Sequence, residues 1–172
     1  MFFLASLIGF LTPTSECPGA SLCHEEHGMD IVLLDESGRI GLSADIDDWH
    51  PIEAAGIDVV IDLDGDLDLG VPTVPNHLLY IYFPIDDAEL PDLDKLHAIA
   101  QLGASLVARG HKVLAHCALG CNRSALVVGL ILMYLGMTGE EAVTLLRRKR
   151  AGALFNPTFA AYLCSCAQVQ SG

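Results

Sequence analysis

One stretch of the 172-residue sequence has residue types and a spacing suited to phosphoryl chemistry: Val113-Leu-Ala-His-Cys-Ala-Leu-Gly-Cys-Asn-Arg-Ser124. An apolar strand runs into a short loop, and the loop runs straight into an apolar helix. Such a junction turns successive backbone N–H groups inward, and the first helical turn adds unpaired donors and the positive end of its dipole. The result is a cradle for a phosphate-sized anion, built from Ala118, Leu119, Gly120, Cys121, Asn122 and Arg123, with Gly120 permitting the turn. Cys117 opens the cradle, where the same donors favour its thiolate, a competent nucleophile for phosphorus. Arg123, six positions on, offers a planar fork for two phosphate oxygens and for the charge that builds on them. The Ser124 hydroxyl then stands where it can donate to the Cys117 sulfur and help it leave. A single Cys after a strand is ordinarily a small buried hydrophobe. His-Cys-x-x-Gly-x-x-Arg-Ser at a strand-to-helix junction is far more specific.

The rest of the composition bounds the partners. Acidic residues outnumber basic ones 22 to 9, and the formal charge is -13. A surface of that sign repels nucleic acid and anionic lipid, so neither is expected as a partner. Any positive potential for phosphate must therefore be local. Six cysteines in a chain of this length do not form a disulfide framework, which points to a reducing, cytoplasmic setting. Cys17, Cys23, His24 and His27 cluster in sequence without the paired spacing of a zinc site, and no metal is expected there. Met1–Leu11 is apolar like a secretory h-region but lacks any Lys or Arg. Residues 1–28 are read as an extension and 29–170 as one catalytic domain.

Regular alternation of Val/Ile/Tyr-rich segments with helical patterns predicts an α/β fold, a central, mostly parallel sheet flanked by helices. Ile31–Asp35 and Arg39–Leu42 are expected as an edge hairpin. Asp47 or Asp48 is expected to cap a short helix through Ala55, ended by Gly56. Strands are expected at Ile57–Leu63, Leu78–Phe83 and Lys112–Ala115, all central. A helix from Leu93 to Arg109 crosses between the last two. Ser124–Leu135, apolar all round, predicts a helix buried in the domain centre. Thr138 starts another, whose Arg147–Arg150 end is expected to be solvated. Asn156-Pro157 opens the last.

From His116 to Ser124 the sequence resembles the protein tyrosine phosphatase superfamily, and within it the dual-specificity phosphatases, whose signature is His-Cys-x5-Arg-Ser/Thr. The resemblance extends over most of Met29–Val169 through Gly56-Ile-Asp-Val-Val-Ile-Asp-Leu and Asn156-Pro157-x-Phe159. It implies the cysteine-phosphatase fold and a two-step reaction in which Cys117 attacks phosphorus, an aspartic acid protonates the leaving oxygen, and water hydrolyses the thiophosphate. The family pattern Pro-x-x-Asp falls on Asp87, with adjacent Asp86 in reserve and Asn156 in a supporting position. His116 is expected to hydrogen-bond the loop rather than act as a base. Cys121 is either a small filler or a redox partner of Cys117. No metal or organic cofactor is implied, and EDTA is expected to leave activity intact. The uncharged loop residues disfavour highly phosphorylated substrates and point to a phosphorylated protein or peptide, phosphotyrosine first and phosphoserine or phosphothreonine next. A small phosphomonoester, a silent phosphate-binding module, and sulfurtransferase or arsenate chemistry are the alternatives.

Overall fold

The computed structural model describes residues 30–166, so the Cys17–His27 group and the apolar N-terminal stretch fall outside it. The elements in chain order are β1 (Val32–Leu33), β2 (Ile40–Ser43), α1 (His50–Ala54), β3 (Val59–Asp62), β4 (Leu79–Tyr82), α2 (Leu93–Ala108), β5 (Val113–His116), α3 (Arg123–Tyr134), α4 (Gly139–Lys149) and α5 (Pro157–Ser165). The strands form one sheet in the order β1-β2-β5-β3-β4. All neighbours are parallel except β1, which pairs antiparallel with β2 at one edge. The expected edge hairpin is therefore present, with β1 cut to two residues.

Strand β5 lies between β2 and β3, and all four of its residues are buried. Side chains alternate across a sheet. Val113 and Ala115 accordingly join the larger core with α2–α5, while Leu114 joins a smaller one with Val60, Trp49 and Ile52 beneath α1. Leu78–Phe83, expected at the centre, supplies the outer strand β4, whose Leu79 and Tyr82 are exposed. Apolar composition reports burial of faces and cannot by itself say which strand has two neighbours.

Helix α3 is buried from Ser124 through Met133, because the sheet covers one side and α2, α4 and α5 cover the others. Close approach is possible at Gly129 and Gly139, where an added Cβ would stand 2.6 Å from Leu163 Cδ1 and 1.8 Å from the Leu163 carbonyl oxygen. Helix α4 begins with a reciprocal capping box between Thr138 and Glu141. Helix α1 departs from expectation. Trp49 occupies its N-cap with no side-chain capping bond, its indole N–H donating instead to the Leu69 carbonyl, and the Asp48 carboxylate accepts from the His50 N–H at 2.9 Å. Three helices are tied together by His97 on α2, whose Nδ1 lies 3.0 Å from the Tyr134 hydroxyl and Nε2 2.6 Å from that of Tyr162.

Gly120 illustrates how the sheet shapes the loop. Its φ is +61°, and an added Cβ would meet the backbone of Ser43, at the end of β2, at 2.4 Å. Both the left-handed conformation and the backbone-to-backbone approach exclude a side chain. Gly120→Ala is expected to destabilise the protein by about 2 kcal/mol or more and to displace the loop. A thermal melt together with a phosphate-binding titration would check this; an unchanged melt would mean the loop yields freely.

Candidate active site

The loop between β5 and α3 places Cys117 at the C-terminal end of the central parallel strand, the edge at which open α/β sheets form sites. Its thiol is almost fully buried, and Sγ lies 3.5 Å from the Ser124 hydroxyl. Burial alone would raise the thiol pKa. The Ser124 hydroxyl and N–H, the Arg123 charge and the Gly120 N–H outweigh it and hold Cys117 below the ordinary cysteine range. The loop closes on itself through the Gly120 N–H to the Cys117 carbonyl, 3.1 Å. Among the described residues, the N–H groups of Ala118, Leu119, Cys121 and Asn122 are given to no backbone carbonyl. Backbone donors left without a carbonyl can serve an anion.

Arg123 is oriented by one of its nitrogens. Nη1 donates to the Leu63 carbonyl (3.1 Å), the Ile85 carbonyl (3.3 Å) and the Asp64 carboxylate (2.8 Å). Nε is buried and has no partner among the described residues. A buried guanidinium N–H without an acceptor is costly unless a ligand supplies one. The edge left over can grip two oxygens of a phosphate.

Asp87 is fixed by two amides. Asn122 Nδ2 donates to its Oδ2 at 2.9 Å and Asn156 Nδ2 approaches its Oδ1 at 3.4 Å, while the Asn156 N–H donates to Asn122 Oδ1 at 3.0 Å. Asn156 also caps α5 through the Thr158 N–H. Loop, acid and last helix are thus one network. Asp86 has an exposed side chain in a cleft of about 440 Å³ that it shares with Asp64, Gly65, Pro84, Ile85, Asp87 and Arg123. A larger cleft of about 770 Å³ lies between α2 and the end of α3, lined by Ala104, Tyr134 and Gly136. It contains no thiol or guanidinium.

His116 departs from expectation and does not bond the loop. In the β3–β5 register it stands beside Asp62, on the α1 face of the sheet. Its Nε2 lies 2.9 Å from Asp68 Oδ2 and 3.6 Å from Asp62 Oδ1, and Nδ1 has no partner among the described residues. The Tyr80 hydroxyl bonds both carboxylates. Ligand atoms of Asp62, Asp68 and His116 lie within 4.8 Å of one another, but Tyr80 already takes up acceptor oxygens of both acids. Strand alternation fixes this outcome, since the side chain preceding Cys117 must point away from it.

Two acids, Asp64 and Asp45, were not singled out from the sequence, and Arg150 was expected elsewhere. Asp64 pairs with Arg123, and Asp45 lies within hydrogen-bonding reach of Asp64. Burial would raise Asp64, but the Gly65 N–H and Arg123 outweigh it and hold it low; burial and then Asp64 push Asp45 up. Arg150, expected in a solvated helix end, donates to the Leu119 carbonyl at 2.9 Å and pairs with Asp30 at 3.0 Å. An acid just beyond a parallel strand end was the one available signal for Asp64. Cys121 is a free thiol that approaches the Leu119 carbonyl at 3.3 Å. Exposed Leu119 and Phe155 give the loop side an apolar rim, the segment of Phe155 being joined to the loop by the Leu154 N–H to Cys121 carbonyl bond, 2.8 Å.

A family described as "Dual specificity phosphatase, catalytic domain" matches residues 43–169, nearly three quarters of the chain. The chain belongs to the dual-specificity phosphatases. The fold is similar to that of Tk-PTP in its active form, with 28% identity, a TM-score of 0.63, and 77% of this chain and 92% of that one covered. Human DUSP28 is similar at 22% identity and a TM-score of 0.65, covering 77% and 89%. No curated protein sequence matches significantly. Among the described residues no helix is long and apolar enough to cross a membrane.

In a phosphatase of this kind Ser124 has a specific effect. Removing its hydroxyl takes away the largest influence that lowers the Cys117 pKa, so the thiol rises. Ser124→Ala is expected to move the acid limb of the kcat/KM profile to higher pH and to slow turnover about tenfold or more. A burst of product followed by slow release would locate the loss in thiophosphate hydrolysis.

Proposed function

We propose that this phosphatase hydrolyses phosphorylated protein or peptide through a phospho-cysteine at Cys117, acting on phosphotyrosine first and phosphoserine or phosphothreonine next. The observation that carries the reading is the orientation of Arg123, with Nη1 committed to three protein acceptors and the Nε edge left over beside a lowered thiol. The Cys117 thiolate attacks phosphorus, forming the S–P bond as the P–O ester bond breaks, and Asp87 gives its proton to the leaving oxygen. Water then attacks phosphorus, Asp87 takes the water proton, and the S–P bond breaks to release phosphate and the thiolate, which Ser124 stabilises. Arg123 and the loop N–H groups hold the equatorial oxygens throughout. These groups meet the charge and proton demands of both steps, so chelators should leave the rate unchanged. Residues 29–170 are read as the catalytic unit and a reducing, cytoplasmic compartment as its setting, since the thiolate must stay reduced.

Exposed Leu119 and Phe155 favour an aromatic ester, for which they offer flat apolar contact. A second reading, a small or lipid phosphomonoester, has one observation behind it: PTPMT1, similar in fold at 19% identity, has been solved in complex with PI(5)P. The test compares a phosphotyrosyl peptide, phosphoseryl and phosphothreonyl peptides, and PI(5)P side by side, under reductant with and without EDTA. The phosphotyrosyl peptide should turn over fastest, equally with EDTA. Faster release from PI(5)P would overturn the protein reading, and loss on chelation would overturn the mechanism.

A further inference from the structure

An asparagine at a helix N-cap ordinarily turns its side chain back onto the backbone N–H groups of the first turn. Asn122 stands at the N-cap of α3 and makes no such bond among the described residues. Its side chain is buried and bridges two other segments instead. Oδ1 accepts the Asn156 N–H at 3.0 Å, and Nδ2 donates to Asp87 Oδ2 at 2.9 Å. A backbone N–H can only donate, so its bond fixes which end of the amide faces the acid. Asn156 Nδ2 holds the acid less closely, standing 3.4 Å from Asp87 Oδ1 and 3.1 Å from the Ala88 carbonyl. One residue thus offers its backbone N–H to the cradle, leaves the first turn of α3 uncapped for an anion, and reaches across to the acid.

We propose that the Asn122 side chain is the positioning residue for the general acid, holding Asp87 in place to protonate the leaving oxygen. The proposal rests on Asp87 as the acid of the phosphatase reading and gives Asn122 a second task beside its phosphate-facing N–H. A neutral amide suits that task. It bonds a carboxyl oxygen whether or not the acid carries its proton, whereas a lysine or arginine there would favour the carboxylate alone. An acid free to swing loses the near-attack geometry on which proton transfer depends. Truncating the side chain leaves the backbone N–H behind, so phosphate binding and proton delivery can be separated.

The experiment measures kcat and KM of wild type, Asn122→Ala, Asp87→Asn and the double variant on phenyl phosphate and p-nitrophenyl phosphate. Asn122→Ala should lower kcat on phenyl phosphate about ten- to hundredfold and on p-nitrophenyl phosphate less, with KM within about twofold of wild type. In the Asp87→Asn background the same truncation should lower kcat by less than about threefold, because the group it positions is gone. Asn122→Asp matches asparagine in size and keeps an acceptor for the Asn156 N–H while losing the donor. It should repeat the non-additivity in kcat, and it decides the question where the alanine variant melts below the assay temperature. Equal losses in both backgrounds, equal losses on both esters, or a loss confined to KM would overturn the proposal. A wild type inactive on both esters would instead overturn the phosphatase reading, and Asp87→Asn at the wild-type rate would overturn Asp87 as its acid.

Discussion

Cys117→Ser is expected to yield a folded protein that still binds phosphotyrosine and hydrolyses none of it. The substitution exchanges sulfur for oxygen at a buried position and leaves every backbone donor of the cradle in place. What disappears is the anion. A serine hydroxyl in the same field stays protonated, and nothing within reach serves as a base for it, because His116 faces the other side of the sheet. The loss should be on the order of 10⁵-fold or more in kcat, with binding of a phosphotyrosyl peptide retained. Rapid quench of the wild type should trap phosphate on the protein, and Cys117→Ser should trap none. Turnover by the variant at even one hundredth of the wild-type rate, about 2.7 kcal/mol of lost stabilisation, would mean that another group attacks phosphorus.

Asp87→Asn should be the second most damaging change, and its effect should depend on the ester. The acid matters in proportion to how poorly the leaving oxygen carries charge. On phenyl phosphate kcat should fall about 10²–10³-fold, and on an ester of a strongly acidic phenol far less. KM should hardly move, since Arg123 and the loop amides bind the phosphate. The flatter dependence on leaving group is the signature to measure. Asp86→Asn should change the same rates by less than about threefold. If the two variants exchange these behaviours, Asp86 is the acid and the Asn122–Asn156 clamp serves only the loop.

The contiguous part of the site was legible because one strand, loop and helix carry it: Cys117, Gly120, Arg123 and Ser124 fall where their spacing demands. The parallel sheet and the buried helix α3 were equally readable from apolar periodicity. Asp87 needed the family pattern, since nothing local distinguishes it from Asp86. What periodicity could not supply was adjacency. The outer position of β4 depends on which strands it meets, and its apolar run looks the same in either place. The partners of His116 follow from the β3–β5 register, which no single segment encodes. Asp64 meets Arg123 across 59 residues and Arg150 meets Leu119 across 31, both through side chains that would have passed as solvated charges. The cap of α1 shows the same limit at short range, because the N-cap falls on Trp49, one residue beyond Asp48, with Pro51 in the first turn.

The sheet order has a temporal consequence. Strand β5 is the last strand made, yet it is inserted between β2 and β3, and the clamp on Asp87 waits for Asn156, later still. On a ribosome, every residue of the nucleophile's loop has been synthesised well before the chain that completes its surroundings. During that interval Cys117 is an ordinary thiol, without the helix end, the guanidinium or the serine to ionise it. Its ionisation therefore depends on the loop and the start of α3 folding against β5, since the Ser124 hydroxyl, the Arg123 charge and the Gly120 N–H are what favour the thiolate.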